Sequence, residues 1–81
     1  MPRFYFDVER DAISEPDLIG TELGSDDLIP RLALALALEV AREALPGVMT
    51  IVISVRGRAT IQLYQAKLSL VGKWTPGVNI G

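Results

Sequence analysis

Three carboxylates at alternate positions, Asp7, Glu9 and Asp11, are the first residues in the chain whose spacing could do chemistry. In a strand, the i, i+2, i+4 pattern puts them on one face, and in a loop the same oxygens could ligate Ca²⁺ or Mg²⁺. The calcium-loop pattern fails, because its sixth position is Ala12 rather than glycine and its twelfth is Leu18 rather than glutamate. The stronger reading is a solvated acidic edge strand, where charge also works against aggregation. A second group is basic. Arg56 and Arg58 flank Gly57, with Lys67, Lys73 and Trp74 downstream, a set that could contact phosphates and stack a base. Two arginines at a turn are more often simply solvated, so Arg56 and Arg58 stand only as candidate phosphate contacts. The aromatic trio Phe4, Tyr5 and Phe6 suggests the stacking platform of an RNA-binding sheet, but Phe4 and Phe6 share the face that must meet a helix. Core is the better reading for that pair, which leaves Tyr5, with Tyr64, on the outer face.

Composition narrows the chemistry further. There is no cysteine and no histidine, which removes disulfides, thiolate and imidazole metal sites, and the commonest nucleophile and base systems. An enzyme would have to work with carboxylates and arginines alone, in a concave pocket holding Asp7, Glu9 or Glu22 with a raised pKa, and nothing in their spacing demands one. We therefore expect no catalytic residue, no cofactor and no metal. The net charge of -2 argues against overall attraction to nucleic acid or anionic lipid. It hides an asymmetry: residues 1–27 carry eight acids against Arg3 and Arg10, whereas residues 28–81 carry six bases against Glu39 and Glu43. The two halves should attract each other.

Eighty-one residues suffice for one sheet and one helix. Residues 3 to 8 alternate, with Phe4, Phe6 and Val8 on one face, and predict a strand. Residues 9 to 17 are charged and end in the turn-forming Glu15-Pro16-Asp17, after which Leu18 to Leu23 offers a short strand interrupted by Gly20. Asp27 is the preferred helix cap, with Ser25 or Asp26 as alternatives, and Pro30 fits only the first turn. Leu28 to Leu45 reads as the helix despite its Leu-Ala alternation, since Leu, Ala, Glu and Arg are strong helix formers. Pro46-Gly47 ends it. Val48 to Arg56 is β-branched and alternating, and residues 48 to about 70 predict a β-hairpin turning at Arg56-Gly57-Arg58. The order is ββαββ, an α+β fold with a small antiparallel sheet and one long helix on one face. Residues 1–71 form the domain, and 72–81, punctuated by glycine and proline, a loosely docked tail.

The helix carries the most informative physical feature. At about 100° per residue, Ala33, Ala37, Ala41 and Ala44 fall on one line, flanked by Ile29, Leu36 and Val40 on one side and Leu34, Leu38 and Leu45 on the other. This apolar arc spans roughly 200°, twice what a helix needs to cover one core. The expectation is a non-enzymatic interaction module that self-associates, a dimer first, through Leu34, Leu38, Ala41 and Leu45. The bland reading tucks that ridge beneath the C-terminal tail. The alternative function is a small nucleic-acid-associated or antitoxin-like regulator using the basic half, with nucleic acid the less favoured partner. A membrane-surface role is disfavoured because the polar side of the helix is mixed in charge.

Met1-Pro2-Arg3-Phe4-Tyr5-Phe6-Asp7-Val8, followed by Gly20-Thr21-Glu22-Leu23, an alanine-rich helix, an Ile/Val strand and a Gly-Arg turn, resembles a family of short uncharacterised bacterial proteins, a domain of unknown function. Its members open Met-Pro-Arg-Tyr-Phe-Phe-(Asp or His), continue with Gly-Thr-Glu-Leu and close in a hairpin with an Asp-Gly-Arg type of turn. The resemblance covers about residues 1 to 68. Here Pro30 and the Leu-Ala run replace a more charged helix, Arg56-Gly57-Arg58 lacks the acid before glycine, and the stretch after Leu70 is altered. The resemblance implies the fold and a bacterial, cytoplasmic setting, and no mechanism. The N-terminus reaches Asp7 before any long apolar run, and no stretch is long and apolar enough to cross a membrane, so cytoplasmic is the expected location.

Overall fold

Alternation of Phe4, Phe6 and Val8 with Tyr5, Asp7 and Glu9 makes β1, Arg3–Arg10, the strand around which the sheet is built. The computed structural model of the chain describes residues 2–43, 48–58 and 61–77. β4, Val48–Arg56, runs antiparallel along one side of β1, with Phe6 opposite Val55 and Tyr5 opposite Arg56. On the other side lies a broken strand formed by β2, Ile13–Glu15, and β3, Thr21–Glu22. β5, Gln62–Val71, pairs antiparallel with the far side of β4 and ends the order β2-β1-β4-β5, with β3 paired to β1.

Four expectations about this sheet need correction. An extra strand, β2, forms within residues expected to be charged loop, because Asp11 adopts a positive φ of 53 and turns the chain back at once. Asp11 is well suited to that conformation, and its amide donates to the Thr50 carbonyl while its carboxylate accepts from the Thr50 amide. The strand expected over Leu18 to Leu23 is only Thr21–Glu22. The fold is α+β as expected, but its order is βββαββ rather than ββαββ. Nor is β1 an edge, since it has neighbours on both sides.

A 3₁₀ turn, Asp26–Leu28, leads into α1, Ile29–Arg42. Ser25, not Asp27, caps the 3₁₀ turn, its hydroxyl accepting from the Asp27 amide at 3.2 Å, and Leu28 at the N-cap of α1 itself makes no side-chain cap. Asp26 and Asp27 fall in the first turn, where acids complement the helix dipole, and Pro30 sits where its missing N–H costs nothing. The expected helix end at Leu45 and its Pro46-Gly47 stop lie outside the described residues. α1 packs over β4 and β5. Ala33 and Ala37 are fully buried, so the helix backbone approaches Ile51, Ile53 and Val55, and Phe4, Phe6, Leu23 and Ile29 complete the core. Leu36, Val40 and Ala41 pack partly against it.

The β4–β5 hairpin is present, with one displacement. Tyr64 lies opposite Val55, yet Gln62 lies opposite Arg56, so Leu63 is an extra residue at a β-bulge. The bulge exchanges the faces of β5. Tyr64 joins Ala66, Leu68 and Leu70 on the helix side, where it borders a cleft with Phe4, Ile29 and Pro30, instead of the outer face expected for it. Leu63 folds back over Gly57, where a β-carbon would come within 3.0 Å of its Cδ1. Residues 72–77 form no strand or helix and are exposed, Trp74 included.

Candidate functional site

The face of the sheet opposite the helix carries a polar cluster centred on Arg56, the last residue of β4. The β1–β4 register sets Arg56 across from Tyr5 and diagonal to Asp7. Its guanidinium lies 4.6 Å from the Tyr5 ring centroid, its Nε donates to Asp7 Oδ2 at 2.8 Å, and its Nη2 donates to the Asp17 carbonyl at 2.9 Å. Asp7 also accepts the Asp17 amide on Oδ1 at 2.8 Å.

Asp17 is the second hub, and it exists because the broken strand is broken. Between the β2 and β3 pairings, Tyr5, Phe6 and Asp7 face a five-residue loop, 16–20. The Phe6 amide, left without a strand partner, donates to Asp17 Oδ2 at 3.1 Å. Asp17 Oδ1 accepts from the Ile19 and Gly20 amides, the local turn that aspartate favours. Burial pushes the Asp17 carboxyl up, but the amides of Gly20, Phe6 and Ile19 and the charge of Arg56 outweigh it and hold the group below its ordinary value. The side-chain hydrogen bond to Asp7 is the largest influence raising Arg56 above its usual value. Gly20 has φ +79, and a β-carbon there would meet Arg3 Cγ and Tyr5 Cε2 at 2.8 Å. Arg3 closes the arrangement by donating to the Ile19 carbonyl at 2.9 Å and pairing with Glu22.

Chemically, this cluster holds a loop. Asp7 accepts from Arg56 and the Asp17 amide, and Asp17 accepts from the amides of Phe6, Ile19 and Gly20. Its product is a fixed loop that leaves Leu18 and Ile19 85% and 80% exposed. The three carboxylates read as a set do three different things: Asp7 pairs with Arg56, Glu9 is exposed on β1, and Asp11 serves the β1–β2 turn. Among the described residues no group of three His, Cys, Asp or Glu side chains gathers where it could hold a metal ion.

The structure separates the two candidate phosphate contacts. Arg56 is turned toward Asp7 and Asp17, whereas Arg58 is exposed beyond the strand end. Of the candidate interface residues, Leu34 and Leu38 are 54% and 51% exposed, Ala41 is partly buried against the core, and Leu45 lies outside the described residues. Sequence reasoning missed Asp17 as a hub. A signal was there, since an aspartate two and three residues before Ile19 and Gly20 is a turn-forming arrangement. The pairing of Arg56 with Asp7 crosses 49 residues and had no local signal.

These features define a small α+β domain whose polar cluster joins its two most distinctive segments, the opening Pro2 to Asp7 and Gly20 to Leu23. The chain belongs to the family described as a domain of unknown function (DUF6894), whose model matches residues 3–69. No curated protein and no solved structure matches the chain. Among the described residues no helix is long and apolar enough to cross a membrane.

Proposed function

We propose that the chain is a non-enzymatic protein–protein interaction module that self-associates, first as a dimer, in the bacterial cytoplasm. The observation that carries this reading is the contrast along α1: Ala33 and Ala37 are buried, while Leu34 and Leu38 stand half exposed beside them. Together the two leucines form an apolar ridge that a second copy would cover. The reading of Arg56 and Arg58 as phosphate contacts is weaker, because Arg56 already holds Asp7 and the Asp17 carbonyl. The polar cluster favours a non-enzymatic role, since its carboxylates serve the loop.

Light scattering on the wild type and on a Leu34→Glu/Leu38→Glu double variant tests it. The wild type should scatter as a multiple of the 8.8 kDa chain, and the variant as a folded monomer, because the new charges would be buried unpaired in an apolar interface. A wild type that stays monomeric at millimolar concentration would remove the proposal.

A further inference from the structure

Resting on that self-association, we infer that two copies join edge to edge through β5, antiparallel about a two-fold axis, so that one sheet runs through both and the Leu34–Leu38 ridges meet above the seam. The argument begins at the strand. β5 is the last strand of the sheet, and among the described residues nothing pairs with its outer side. It is ten residues long and carries one charge, Lys67, so it lacks the charges, proline and brevity that usually blunt an edge. An open antiparallel edge is complementary to a copy of itself, since its outward N–H and C=O groups match under a two-fold rotation.

The helix points the same way. Leu32 and Leu36 line a cleft with Phe6, Val8 and Asp17, which places that flank of α1 over β1. Glu39, Val40 and Glu43 border the neighbouring cleft with Val8, Arg10 and Glu15. Leu34 lies about 100° around the helix from Ala33 in the opposite sense, on the side of β5, while Leu38, at about 140°, borders a hollow with Ala35, Glu39 and Arg42 on the outer face of α1. Strand edge and Leu34 are therefore on one side of the molecule, with Leu38 above them. Asp26 and Asp27 lie near Leu63 and Tyr64 at the start of β5, and Arg42 is at the other end of α1. An antiparallel β5 pair makes the two helices antiparallel, so each helix start, with Asp26 and Asp27, lies beside the partner's helix end, where Arg42 stands with Glu39 and Glu43.

Area supports the same occupant. The surface of 6148 Å² exceeds by roughly 1400 Å² what a compact monomer of 8.8 kDa exposes, and part of that excess lies on residues 72–77. A standard interface takes about 800 Å² from each partner.

Amide hydrogen exchange, read residue by residue over Leu63 to Leu70 together with the solution mass, tests the seam. In a free edge strand every second amide points to solvent and exchanges rapidly. In the wild-type dimer the outward set should exchange on the order of 100-fold slower than in the Leu34→Glu/Leu38→Glu monomer, while the set bonded to β4 changes little. A dimer whose outward β5 amides remain fast would overturn the seam and leave self-association standing. A wild-type monomer would overturn both.

Discussion

Gly20 is the residue on which the polar cluster depends most directly. Any side chain there meets Arg3 and Tyr5 and must hold a positive φ. Gly20→Ala should cost about 1–3 kcal/mol, measured as a lower midpoint in urea with an unchanged slope. Asp17 adds a pH dependence. Its folded pKa lies below the ordinary 3.8, so its contribution to stability is complete above that value and is lost as pH falls through the folded pKa. Acid titration of thermal stability should therefore fall more steeply below that value in the wild type than in Asp17→Asn. Equal slopes would mean that the carboxylate's charge is not what holds the loop. Little of this cluster was legible beforehand. The local bonds of Asp17 to Ile19 and Gly20 follow from turn chemistry, but its bond to the Phe6 amide requires a gap in strand pairing that no local pattern announces.

Among the elements, the helix was the most legible and the strand pairing the least. Of the alanine line, Ala33 and Ala37 are buried and Ala41 partly so, while Ala44 lies outside the described residues; small side chains let a helix sit close to a sheet. Ala37→Leu should therefore destabilise by about 1–3 kcal/mol through overpacking, whereas Ala35→Leu on the exposed side should stay within about 0.5 kcal/mol. Comparable effects at the two positions would contradict the packing of α1 on β4. In β5 the apolar phase passes from odd positions, Ile61 and Leu63, to even ones, Ala66, Leu68 and Leu70. That change of phase is visible in the sequence and marks the bulge. Continuing the odd phase onward placed Tyr64 on the wrong face. The β1–β2 hairpin was missed because its strands are short and polar, and its turn rests on Asp11 in a conformation more often taken by glycine.

As a whole molecule the chain is long and thin, 54 by 23 by 17 Å, and among the described residues nine apolar side chains make its buried core. So small a core gives little margin, and a dimer would add to it by mass action. The apparent melting temperature should rise with protein concentration in the wild type and be independent of it in Leu34→Glu/Leu38→Glu. Independence in both would argue that the ridge is not an interface. By itself the sequence determined the α+β class, the helix with its alanine floor, and the β4–β5 hairpin, because periodicity and propensity act over neighbouring residues. Only the tertiary structure decided that β1 is interior, that Asp7 pairs with Arg56, and that Tyr64 turns to the helix side. Those depend on register between segments up to 49 residues apart, which is set when the sheet closes against the helix and not by any stretch of chain alone.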